Sequence, residues 1–154
     1  MRMRFLTLAV ALAASAGLAD CGGDDDNSAG SGSDTAAAAG KVAVILPDSA
    51  SSARWETADR RFLTDAFTAA GVEADIQNAN GDKAKFATLC DQAISGGASV
   101  LMIVNLDSET GAACTKKATA QGLKTIDYDR LTLGGESSYY VSFDNVAVGA
   151  AQGE

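Results

Sequence analysis

Two short pairs of residues concentrate side-chain chemistry in this chain: Arg54-Trp55 and Asp129-Arg130. A carboxylate such as Asp129 accepts from two hydroxyls, and the neighbouring Arg130 guanidinium donates in a fork to ring or hydroxyl oxygens. Side by side, the two also partly neutralise each other where water is excluded. Trp55 adds a flat apolar face and Arg54 further donors. Such groups suit a ligand whose hydroxyls both donate and accept and whose C–H faces are apolar. Each pair also has a plainer alternative. Arg54-Trp55 can open a helix with the indole packed on a sheet, and Asp129-Arg130 can be a surface ion pair of little energetic weight.

Other chemistries lack their parts. The 154 residues include no His, which removes His general bases, Ser-His and Cys-His dyads and most zinc sites. Neither a G-x-G-x-x-G nor a Walker sequence follows the first apolar run, which disfavours a nucleotide site. With 12 Lys plus Arg against 20 Asp plus Glu, the charge balance argues against a nucleic-acid surface. No nucleophile–base pair is visible. Neither catalytic residues nor a metal or cofactor site is expected.

The elements that must position the two pairs alternate between strand and helix patterns from Lys41 onward. Val42 to Leu46 is a continuous apolar run, as in a parallel strand covered on both faces. Trp55 to Ala70 follows as a helix with Phe62, Leu63, Ala66, Phe67 and Ala70 as its stripe, and Gly71 stands at its C′ position. Val72 to Gln77 reads as a weaker strand. Asp82 then caps a helix striped by Phe86, Leu89, Cys90, Ala93 and Ile94 and closed by Gly96-Gly97. Val100 to Val104 is the strongest strand, a helix runs from about Glu109 to Gln121, and Leu123 to Tyr128 and Tyr139 to Ser142 are further strands. Strands separated by helices of this length imply right-handed crossovers, hence an α/β fold with a doubly wound parallel sheet. Ligands of such sheets bind beyond the carboxyl ends of the strands, which is where both pairs fall. Asn80-Gly81 reads as a turn leading to the helix cap. Asn105 and Asp107 lie on the same side but are read as ordering their loop.

The chain begins with a positive stretch, Met1-Arg2-Met3-Arg4, followed by an apolar run from Phe5 to Ala19. That run is shorter than the ~20 residues needed to span a bilayer, which favours a signal peptide. Leu18-Ala19-Asp20-Cys21 resembles the lipobox of bacterial lipoproteins, in which Cys21 would be acylated; Asp20 departs from the pattern's small neutral residue. Cleavage near Ala14-Ser15-Ala16 is the alternative, giving a secreted protein without the anchor. Residues 22–40 are Gly, Ser, Asp and Ala with no large apolar side chain, so they cannot bury enough surface to offset ordering entropy and read as a flexible tether.

Five pieces in order resemble the periplasmic sugar-binding family of ABC importers, most closely its D-xylose-binding branch. They are Val42-Ala43-Val44-Ile45-Leu46-Pro47-Asp48, Arg54-Trp55, Gln77-Asn78-Ala79-Asn80-Gly81, Asp127-Tyr128-Asp129-Arg130 and Val141-Ser142-Phe143-Asp144-Asn145. The resemblance implies a type I periplasmic-binding fold, two α/β lobes closing on a monosaccharide that is then handed to a membrane permease. It implies ligand contacts at Arg54, Trp55, Asp129 and Arg130, and a first hinge crossing at Ser142-Phe143-Asp144. Read this way, residues 1–21 are a lipoprotein signal peptide and 22–40 a tether. Residues 41–142 then form the N-terminal lobe, and 143–154 the crossing and the start of a second lobe that the chain does not complete. A ligand-sensing lobe for a chemoreceptor or sensor kinase would share these features. One lobe covers one side of a sugar, so the chain alone is expected to bind xylose weakly or not at all.

Lipidation of Cys21 would leave Cys90 and Cys114 as an even pair in an oxidising compartment. In a sheet of order 2-1-3-4-5 the second and third helices share a face, which makes the two cysteines neighbours. A disulfide is predicted, with two buried thiols as the alternative.

Overall fold

The computed structural model describes residues 40–153. The proposed signal peptide (1–21) with Cys21, and the tether (22–40) apart from Gly40, lie outside the described residues. The elements run β1 (Val42–Leu46), a single π-helical turn (Trp55–Asp59) that continues into α1 (Arg60–Ala69), β2 (Ala74–Asn78) and α2 (Lys83–Ser95). Then follow β3 (Val100–Ile103), α3 (Ser108–Ala120), β4 (Lys124–Tyr128), β5 (Tyr139–Val141) and α4 (Asn145–Gln152). All pairings are parallel and the sheet order is β2-β1-β3-β4-β5, the doubly wound order expected.

Alternation along β1 divides the core in two. Ala43 and Ile45 face α2 and α3 and pack with Leu101, Ile103, Phe86, Cys90, Cys114 and Ala118. Val42, Val44 and Leu46 face the other way, onto Trp55 and Val104, with Leu63 and Phe67 of α1 against them. Every residue of β1 is buried, which accounts for its unbroken apolar run. At the sheet edge β2 alternates between half-buried and exposed positions, and its sequence is correspondingly weaker.

The α2 stripe packs as its spacing predicts, and a disulfide joins Cys90 to Cys114 with Cα atoms 5.9 Å apart. Asp82 caps α2 by accepting from the N–H groups of Ala84 and Lys85. Gly71 follows α1 at φ +65°, a left-handed conformation that glycine adopts without steric cost. The α1 stripe is narrower than predicted, with Ala66 and Ala70 exposed as well as Phe62. Leu63 and Phe67 reach the core, whereas Phe62 is 57% exposed and lies under the Arg61 guanidinium at 4.7 Å. Phe62 and Leu63 are adjacent, so they stand about 100° apart around the helix and only one can point at the sheet. The β5–α4 region differs from the rest: Tyr139, Val141, Phe143 and Val146 are all exposed, and α4 buries no residue.

Candidate ligand-binding rim

β1 and β4 both abut β3, so the loops leaving their carboxyl ends emerge at one edge of the sheet. The first loop carries Asp48, Ser51 and Arg54, and the second carries Asp129 and Arg130. The end of β5 adds Ser142 and Phe143.

Arg54 is the hub. Its Nη2 donates to Asp129 Oδ1 at 2.7 Å, its Nε lies 3.3 Å from Asp59 Oδ2, and its guanidinium sits 4.1 Å from the centre of the Trp55 ring. The Phe143 ring lies 5.4 Å away. Arg130 approaches the Trp55 ring at 5.5 Å, donating through Nη1 to the Asn105 carbonyl and through Nη2 to Ser51 Oγ, each at 3.0 Å. Trp55 Nε1 donates to that same Ser51 hydroxyl at 3.3 Å, and the hydroxyl donates onward to Asp48 Oδ2 at 2.9 Å. The four residues singled out from the sequence therefore form one connected cluster.

One expectation is corrected. Trp55 does not offer an open face; it is 2% exposed and packed among Val42, Val44, Leu46 and Val104. Its indole opens the helix and packs on the sheet, the plainer alternative, while the Arg54 guanidinium stacks on its ring. The accessible groups are instead the guanidinium of Arg54 and the carboxylate of Asp129, with side chains 32% and 21% exposed. In this conformation the donors and the acceptor satisfy one another, so a polyol would exchange these contacts rather than fill empty ones.

The backbone presents Asp129 deliberately. Its φ of +67° lies in the left-handed region, which costs a non-glycine residue about 1 kcal/mol or more. Three bonds hold it there. Its N–H donates to the Val141 carbonyl at 2.7 Å, and its own carbonyl accepts from Tyr140 Oη at 3.2 Å and Ser142 Oγ at 3.1 Å. One residue earlier on β4, Tyr128 donates its hydroxyl to Asp59 Oδ1 at 3.2 Å. Beneath the loop, buried Asp127 accepts from Thr132 N at 2.8 Å and Thr132 Oγ1 at 2.7 Å, and Asn105 donates to that hydroxyl at 2.8 Å. Asn105 thus orders its loop, as its sequence position suggested.

The electrostatics follow these contacts. Burial pushes the Asp48 carboxyl upward, but the N–H and hydroxyl of Ser51, the Ala50 N–H and the Arg130 charge outweigh it and hold the group below the usual carboxylate range. Tyr128 is raised by burial and by the charge of Asp59. Behind the rim, Glu56 is lowered by its hydrogen bonds from Arg60, whose Nε and Nη2 donate to it at 2.6 and 3.0 Å. Asn78 at the end of β2 also donates to Glu56, anchoring the π-helical turn. Asp107 caps α3 by accepting from the Thr110 N–H and pairs with Lys83, which lowers its carboxyl to about 2.

Sequence reasoning missed Ser51, Asp59 and Tyr128. Ser51 is one of several alike in Ser49-Ala50-Ser51-Ser52, and nothing local marks it out. Among the described residues no group of carboxylates and cysteines is arranged to hold a metal.

The family described as periplasmic binding protein domain matches residues 42–154. The chain belongs to that family. As a binding-protein lobe it is 34% identical over 113 residues to the multiple sugar-binding periplasmic protein SbpA of Azospirillum brasilense, covering 73% of this chain and 31% of that protein. It is 29% identical over 99 residues to the D-xylose-binding periplasmic protein of Escherichia coli, covering 64% and 30% respectively. A carbohydrate transporter solute-binding protein of Chloroflexus aurantiacus, solved with D-glucose, superposes with a TM-score of 0.65 at 37% identity, covering 72% of this chain and 32% of its own. The myo-inositol-binding protein of Caulobacter does so with a TM-score of 0.65 at 29% identity, covering 75% and 39%. The chain spans about a third of the length of these relatives, in keeping with one lobe of the two-lobed fold. They are named as binding proteins, the Chloroflexus one as the solute-binding protein of a carbohydrate transporter.

Proposed function

We propose that this chain supplies the N-terminal lobe of an exported sugar-binding protein that collects a monosaccharide and delivers it to an ABC permease. The observation that carries this reading is the cluster at the carboxyl ends of β1 and β4. There a forked donor, Arg54, and a paired acceptor, Asp129, stand part-exposed beside Arg130 over a buried indole. A pyranose hydroxyl can donate to Asp129 and accept from Arg54 or Arg130 at once, so the ion pair neutralises itself around a neutral ligand. D-xylose is the leading ligand, supported by the part-exposed Arg54 guanidinium and by the likeness to the D-xylose-binding protein. Relatives that bind glucose or myo-inositol name the competitors.

The sugar reading is tested by nuclear magnetic resonance titration with D-xylose, D-glucose and myo-inositol. The Trp55 indole N–H and the Asp129 and Arg130 amides should shift in fast exchange with millimolar affinity, D-xylose producing the tightest response. Of the two outcomes expected of a single lobe, weak binding or none, this reading requires the weak one, so sugar-independent positions of these three signals for all three ligands would refute it.

Acylation of Cys21, placing the lobe on the outer face of the cytoplasmic membrane or in the periplasm, completes the proposal. Radiolabelled palmitate should enter the wild-type protein and not Cys21→Ser. Equal labelling of both would remove the anchor.

A further inference from the structure

The π-helical turn does something that an α-helix would not do at this position. At about 100° per residue, positions five apart on an α-helix stand about 140° apart and cannot share a face. Here the Arg60 N–H bonds to the Trp55 carbonyl, five residues back, and the widened turn brings Asp59 round to Arg54. The Asp59 carboxylate then faces two ways. Oδ1 accepts from Tyr128, while Oδ2 is buried with no hydrogen-bond partner, lying 3.3 Å from Arg54 Nε as an ion-pair contact. Arg54 spans from Asp59 to Asp129 Oδ1 at 2.7 Å, and Tyr128 and Asp129 are consecutive residues leaving β4. The result is a closed bracket, Tyr128–Asp59–Arg54–Asp129, whose two ends are the last residue of β4 and the one that follows it. A guanidinium has five donors in one plane, so fixing Nε fixes where both Nη groups aim.

We propose that Asp59, brought round by the π-helical turn and held by Tyr128, is a positioning residue that orients the Arg54 guanidinium for ligand. Asp59 itself is largely covered and need not touch the sugar. This inference rests on the reading of the rim as a sugar site. Its test therefore has one arm that needs no ligand.

Both arms use the full chain as wild type, Asp59→Asn and Tyr128→Phe. The ligand-free arm follows the Arg54 Nε–Hε resonance, assigned by its loss in Arg54→Lys. In the wild type the signal should exchange slowly with water, and in Asp59→Asn it should exchange at least about tenfold faster, because the buried negative charge 3.3 Å from Nε, which repels hydroxide and disfavours base-catalysed exchange, is gone. The second arm measures D-xylose affinity, which should fall about tenfold in Asp59→Asn, the loss of one charged contact, and about threefold in Tyr128→Phe. Thermal unfolding monitors the fold, and the Arg130 shift on adding sugar should persist in both variants. Should Asp59→Asn fail to fold, Tyr128→Phe carries both arms, with smaller effects in the same direction. An Arg54 signal and a sugar affinity unchanged in the variants would overturn the positioning role. If no sugar shifts the wild-type rim yet Arg54 Nε still loses protection in Asp59→Asn, the positioning stands and the sugar reading falls.

Discussion

The two faces of the sheet solve different problems. On the α2–α3 face, Phe86, Leu101 and Ile103 are fully covered, the helices are bridged by Cys90–Cys114, and the buried carboxylate beside Ile103, that of Asp127, is satisfied by the N–H and hydroxyl of Thr132. At the rim, Arg54, Asp59, Asp129, Arg130 and Asp48 crowd around one indole, the helix begins in a π-helical turn, and Asp129 is held at positive φ. The first region gains stability from burial and tolerates little change of volume. The second keeps polar groups half-covered in strained geometry, a state that persists only because the surrounding contacts over-determine it. Binding sites are drawn from such places. The covered face sets how stable the lobe is, and the rim is where recognition is proposed.

That division can be broken by substitution. Phe86→Ala, which empties a fully buried position, should cost about 3–5 kcal/mol in urea unfolding. A loss below about 1 kcal/mol would mean that the covered face is not the stabilising one. Cys90→Ser with Cys114→Ser removes a cross-link spanning 24 residues and should lower stability by about 3 kcal/mol, leaving any sugar response of the rim in place. A change in ligand response without a change in stability would invert the comparison.

At the rim the same measurement should give small numbers. Asp129→Asn breaks a part-exposed ion pair, leaves Arg54 its contact with Asp59, and should shift stability by no more than about 1 kcal/mol while abolishing the sugar response. The smallest effect belongs to Asp107. Its folded carboxyl is held near 2 by Lys83 and Thr110, below the value of 3.8 for an unperturbed carboxyl. A depressed value contributes stability above the unfolded one, and that contribution disappears as pH falls from about 4 towards 2. The stability difference between wild type and Asp107→Asn, present at neutral pH, should therefore vanish near pH 2. A difference that stays constant down to that pH would remove the ion pair from the account.

The sequence was most readable where burial alone decides. The unbroken run Val42–Leu46 announced a strand covered on both faces, and the spacing of Phe86, Cys90 and Ile94 placed α2 on the core. Asp82 announced its own cap. From the doubly wound order followed the meeting of Cys90 with Cys114. The residue types at the rim and their places at strand ends were legible too. Their arrangement was not. Neither the π-helical turn nor the partnership of Arg54 with Asp59 follows from a 3.6-residue period, because contacts from Tyr128, Asp129 and Asn78 across the fold accompany the turn. Trp55 reads as a ligand platform with core packing as the plainer alternative, and only the packing of Val42, Val44 and Val104 around it decides for the core. Phe62 and Leu63 competed for one face, and periodicity could not say that Leu63 would take it.

Trp55 is the chain's one tryptophan, so its fluorescence reports on the rim without interference. Arg54 stacked on the ring and Ser51 bonded to its N–H make the emission sensitive to any ligand that takes hold of Arg54. Titration with D-xylose should change the wild-type emission in a saturable way at millimolar concentration and leave Arg54→Ala and Asp129→Asn flat. An unresponsive wild type, or an equal response in all three proteins, would contradict the assignment of this rim to sugar.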